Sequence, residues 1–75
     1  MAKLTVKYDR IGDILYITKV PPYAEQDSTE VGDYVVARLN PHTDEVEGLE
    51  ILFWSKRLAA GEPFDLPVVG EPLAV

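Results

Sequence analysis

The chain has 75 residues, 47% of them hydrophobic and 27% charged, with a formal net charge of −6: one small soluble domain, too short for two cores. It has no cysteine and a single histidine, His42, so disulfides, catalytic thiols and zinc sites built on paired imidazoles are excluded. No run approaches the ~20 apolar residues of a membrane helix, and Met1 to Val6 alternates instead of forming a signal-peptide core, so the expected address is cytoplasmic.

Apolar residues recur mainly at every second position, the period of a half-buried strand. Leu4, Val6 and Tyr8 share one face of a first strand, with Lys3, Thr5 and Lys7 on the other. Asp9-Arg10-Ile11-Gly12-Asp13 is a hairpin loop in which Gly12 is expected to supply a positive φ. The second strand, Ile14 to Val20, is apolar on both faces at its start and is stopped by Pro21-Pro22. The polar, acidic stretch from Tyr23 to Asp33 admits at most a short strand around Thr29 to Val31.

A third strand at Tyr34 to Leu39 ends in the turn Asn40-Pro41-His42-Thr43-Asp44-Glu45. The fourth run, Val46 to Trp54, places Leu49, Ile51 and Phe53 on one face and Glu50, Leu52 and Trp54 on the other, with Gly48 a candidate bulge. Ser55 is the expected cap of a short helix over Lys56 to Ala60, stopped by Gly61. The expected fold is mainly β with a short C-terminal helix: a single domain over 1–60 built on a small antiparallel four- to five-stranded meander sheet completed by oligomerisation. Residues 61–75, with Pro63, Pro67 and Pro72 among apolar residues, form a tail expected to pack on the domain or on a neighbouring subunit.

Charge is unevenly spread. Residues 1–19 carry a balance of +2, residues 20–55 carry −7, and the remainder −1. A phosphate backbone would be repelled by the middle of the chain and a basic protein attracted to it, so no nucleic-acid partner is expected.

Tyr8-Asp9, Asp13 and Leu15-Tyr16-Ile17 form a Tyr-Asp-x-x-x-Asp-x-Leu-Tyr-Ile pattern. With Thr29-Glu30-Val31, Val35 to Leu39, and Val46 through Ser55-Lys56-Arg57-Leu58, the order and spacing over residues 4–58 resemble the small bacterial and archaeal proteins called domain of unknown function 2283. The pair Phe53-Trp54 and the proline-rich tail depart from that pattern. The resemblance implies a compact β-rich fold and no established activity. Through relatives that sit beside ribonuclease-type toxins, it also implies an antitoxin-like partner role.

The residues that could carry chemistry each have a plainer explanation. Asp9 and Asp13 could serve a metal or acid–base pair, but Asx residues at a hairpin commonly bond the loop's own amides, and Arg10 and Ile11 add no oxygen ligands. Asp44, Glu45, Glu47 and Glu50 read as a strand's solvated side, with a protein-docking face as the functional reading. His42 with Ser28 or Ser55 is the only nucleophile–base set, and no nucleophile elbow surrounds either serine. Phe53-Trp54-Ser55-Lys56-Arg57 could stack bases, but aromatics at a strand end belong more often to core or interface.

The expected function is therefore a non-enzymatic, self-associating interaction module, antitoxin-like toward a basic partner protein, without a cofactor or metal. Its interaction surface is expected at Glu45, Glu47, Glu50, Phe53 and Trp54, with Asp9, Gly12 and Asp13 as turn residues. The alternative is a small enzyme or ligand-binding protein using the carboxylates Asp9, Asp13 and Glu30 in an inter-subunit cleft.

Overall fold

A computed structural model describes residues 3–63 and 66. Among them are β1 (Thr5–Asp9), β2 (Ile14–Thr18), β3 (Asp27–Gly32), β4 (Val35–Leu39), β5 (Val46–Leu52) and one helix, α1 (Trp54–Ala60). The fold is mainly β, as expected: one open antiparallel sheet in the order β1-β2-β5-β4-β3. A strictly consecutive meander is interrupted once, because β2 pairs with β5 and the segment 19–26 carries the chain to the far edge. β2 ends at Thr18, two residues before the expected stop at Pro21-Pro22, because the Lys19 and Val20 amides both turn onto the Glu47 carbonyl; the prolines, which cannot donate to a ladder, follow in the passage. The packing of the tail falls mostly outside the described residues.

Register aligns the apolar residues of the inner strands. Leu15, Ile51 and Val35 lie in one row across the sheet, and Ile17, Leu49 and Ala37 in the next. Val35, Ala37, Leu49 and Ile51 are buried, with Leu15, Ile17, Leu39, Val46 and Trp54 packed against them. By the pleat, the other face carries Tyr16, Glu50 and Val36 in one row and Thr18, Gly48 and Arg38 in the next.

β3 is longer than the sequence pattern predicts. All six of its residues are exposed and it has no apolar alternation, so its pairing with β4, not its own hydrophobicity, makes it a strand. The helix also begins differently. Phe53 turns left-handed (φ 55°) as its N-cap residue and makes no side-chain cap bond, so Ser55 lies inside α1 instead of capping it. That turn splits the aromatic pair: Trp54 packs on the core while Phe53 is 43% exposed. Phe53 meets Tyr34 edge-to-face at 5.1 Å and lies under the Lys56 ammonium at 5.5 Å. Gly61 ends the helix as expected, left-handed at φ 70° with its amide on the Arg57 carbonyl.

Candidate functional site

The hairpin carboxylates are structural joints. Asp9 Oδ1 accepts from the amides of Ile11 (3.0 Å) and Gly12 (3.2 Å), an Asx-type closure of the loop. The positive φ expected at Gly12 falls instead on Asp13, at 57°. Gly12 is needed for space: a Cβ there would stand 2.9 Å from Asp9 Oδ2. Asp13 reaches across the sequence to α1, accepting from the Ser55 amide (3.0 Å) and hydroxyl (2.8 Å), while its carbonyl accepts from the Trp54 amide (3.1 Å). The Tyr8 hydroxyl donates to the same carboxylate at 2.5 Å. These bonds, Tyr8's first and Ser55's next, hold the Asp13 carboxyl below the usual carboxylate range, and the same contact pushes the Tyr8 phenol up.

Glu45, Glu47 and Glu50 do not share one solvated face. Glu47 is buried, and its carboxylate accepts from the Tyr23 hydroxyl (2.6 Å), Gln26 Nε2 (3.0 Å) and Asn40 Nδ2 (3.1 Å). The reason is a register irregularity: Arg38 pairs with Gly48 but Leu39 with Val46, leaving Glu47 as the extra residue of β5 beside the anticipated bulge position. Its carbonyl also takes the amides of Lys19 (2.9 Å) and Val20 (3.0 Å), so one residue fastens the passage 19–26 to the sheet. Tyr23 and Gln26 lower the Glu47 carboxyl's affinity for a proton, and Tyr23 is pushed up to about 12 by that carboxylate. Glu45 lies 3.9 Å from the Lys19 ammonium. Glu50 lies on the face opposite the core, 3.6 Å from Arg38 Nε.

The remaining candidates are kept apart. Glu30 sits on β3, with β4 and β5 between it and the β1–β2 hairpin carrying Asp9 and Asp13, so the three carboxylates form no cleft within one chain. His42 is exposed in the turn before β5, whose amides at His42 and Thr43 are held by Asn40 Oδ1, while Ser55 follows the strand's far end. Seven strand residues put about 20 Å between them. Ser28 lies on the outer strand β3, paired with Arg38. Among the described residues no three His, Cys, Asp or Glu side chains gather as metal ligands, and no helix is long and apolar enough to cross a membrane.

Two surfaces stand out at the sheet's edges. At β1, Val6 and Tyr8 pair with Ile17 and Leu15 and so project on the core side, yet are 63% and 40% exposed, and Leu4 just before the strand is 55% exposed. At β3, the exposed acids Asp27 and Glu30 are flanked by Glu25 and Asp33, also exposed. Alternation announces the β1 stripe, but not that it lies at an edge, which depends on the pairing of β2 with β5. It also gives little notice of Arg38, which is 95% buried on the face opposite the core, or of Tyr23 and Asn40 as partners of Glu47.

Neither the curated proteins nor the solved structures contain a significant match to this chain. A family model described as Protein of unknown function (DUF2283) matches residues 5–55, which span all five strands and the Asp13–Ser55 joint. With more than half of its length matched, the chain belongs to that family.

Proposed function

We propose that the chain is a self-associating protein-interaction module that pairs with a second copy through β1. The observation that carries the reading is the contrast between the two sheet edges. An open edge presents unpaired N–H and C=O groups, and proteins blunt such edges with charge, bulges or short length. β3 is blunted in two of these ways, by its acids and by a register irregularity between Glu30 and Gly32. β1 instead adds an exposed apolar stripe, Leu4, Val6 and Tyr8, beside its free backbone groups. Pairing two β1 strands antiparallel would continue the sheet and cover both stripes at once.

Light scattering behind a sizing column tests this. The wild type should elute at twice 8.4 kDa, and Val6→Asp should restore the single-chain mass with an unchanged β-sheet spectrum. A wild type that stays at 8.4 kDa at high micromolar concentration defeats the reading. A basic protein partner, in an antitoxin-like role, is the second reading. What favours it is the cluster Glu25, Asp27, Glu30 and Asp33 on the opposite edge, which pairing through β1 would leave open.

A further inference from the structure

Arg38 is buried to 95% on the sheet face that lies away from the apolar core, an expensive place for a charge. Gly48, its cross-strand partner, makes the placement possible: a Cβ there would stand 2.8 Å from Arg38 Cζ. The guanidinium has five N–H donors, yet its satisfaction is incomplete. Nη2 donates to Thr18 Oγ1 at 2.9 Å, Glu50 stays at 3.6 Å from Nε, and Nε has no hydrogen-bond partner. Because Thr18 Oγ1 accepts from Arg38, its own hydroxyl hydrogen is left to donate elsewhere.

These groups line a cavity of about 440 Å³, within the range of small-molecule sites. Its walls fall into two kinds. Arg38, Thr18 and Lys7 supply positive charge and donors, whereas the Tyr16 ring and Pro21-Pro22 supply flat hydrocarbon surface. We propose that this cavity binds a small organic anion, its carboxylate or phosphomonoester head between Arg38, Thr18 and Lys7 and its compact apolar body along Tyr16 and the two prolines. Glu50 is the anion's internal competitor: it neutralises the guanidinium at 3.6 Å without forming a hydrogen bond, so a better-placed oxyanion displaces it. The site lies within one chain and does not depend on pairing through β1.

Amide-resolved NMR titration of the full chain with benzoate and phenyl phosphate, against acetate and inorganic phosphate, tests the proposal. At least one aromatic probe should saturate shifts at Thr18, Arg38 and Gly48 and bind more tightly than its counterpart without a ring; the stronger of the two identifies the head group. Lys7→Met should weaken that binding about threefold and Glu50→Gln should tighten it by a similar factor, the scale of one partly exposed ion pair. Arg38→Lys keeps the charge and loses the fork, so head-group binding should fall further. If Arg38→Lys fails to fold, the Lys7 and Glu50 variants decide. Absence of saturable shifts at these residues, equal affinity with and without the ring, or affinities unmoved in Lys7→Met and Glu50→Gln would each overturn the proposal. Repeating the titration in Val6→Asp separates it from self-association: binding should persist there whether or not the wild type is a dimer.

Discussion

Glu47 ties separate parts of the chain together, because its carboxylate and its carbonyl serve segments that the sheet itself does not hold. Replacing it with Ala removes the acceptor for Tyr23, Gln26 and Asn40 together. Donors left partly unmet make the expected cost about 2 kcal/mol, a fall in Tm of roughly 10 °C for a domain of this size, which calorimetry can read. The pH dependence has a definite sign. The folded-state carboxyl lies below its unfolded value, so its contribution is present above about pH 4.5 and is lost as pH falls through the folded value. Tyr23, raised to about 12, contributes fully below pH 10 and loses that contribution as pH rises through the folded value. Glu47→Gln should therefore flatten the acid limb of a Tm-against-pH curve, and an acid limb identical to the wild type's would refute this assignment. Gly48 answers to a different constraint, space. Gly48→Ala should cost about 1–3 kcal/mol through overpacking against the Arg38 guanidinium and should shift Thr18, its partner. A melting curve that stays put would mean that Arg38 moves aside freely.

At the scale of elements, α1 is the dependent piece. Seven residues are too few for a helix to persist alone in water, and none of its residues is fully buried. It is held by Trp54 on the core and by the bonds from Ser55 and Trp54 to Asp13. Asp13→Ala should release hydrogen-exchange protection at Ser55 and along the helix while the amides of β4 and β5 remain protected. Asp13→Asn tolerates the left-handed backbone and keeps one acceptor, so it should retain part of that protection. Uniform loss across sheet and helix in Asp13→Ala would instead make the joint part of the global fold. The inner strands were legible in the sequence because alternation of apolar residues is a local signal, and Leu15, Ile17, Leu49 and Ile51 carry it. β3 was only half legible, since its residues contain no such signal and its pairing with β4 comes from the neighbouring strand. The burial of Glu47 was hidden for a related reason: the groups that close over its carboxylate, Tyr23, Gln26 and Asn40, come from segments outside its own strand and leave no local signature. Asp9 bonds amides of its own loop, which is a local pattern, but the bond from Asp13 to Ser55 spans 42 positions and has no local signature.

For the whole molecule, charge decides between two ways of joining edges. Residues 1–19, which include β1, carry a balance of +2, whereas the exposed acids Glu25, Asp27, Glu30 and Asp33 cluster around β3. A head-to-tail arrangement, β1 of one copy on β3 of the next, would be electrostatically favourable, yet it leaves a free edge at each end and does not close unless a ring forms. A two-fold arrangement, β1 on β1, closes at the dimer but brings like charges together, both locally and through a net −6 on each copy. Salt acts on the two with opposite sign. Screening weakens the attraction that drives the first and relieves the repulsion that opposes the second, over distances of about 8 Å at physiological ionic strength. The apolar stripe Leu4, Val6 and Tyr8 lies only on β1 and gains most when it meets itself, so the two-fold dimer is the expected product. Sedimentation at increasing sodium chloride should show a single species of twice the chain mass whose dissociation constant falls as salt rises. Tm should climb with protein concentration, because a partner that binds only the folded chain stabilises it by mass action. Larger species that dissolve as salt is added would instead assign the contact to the acidic β3 edge.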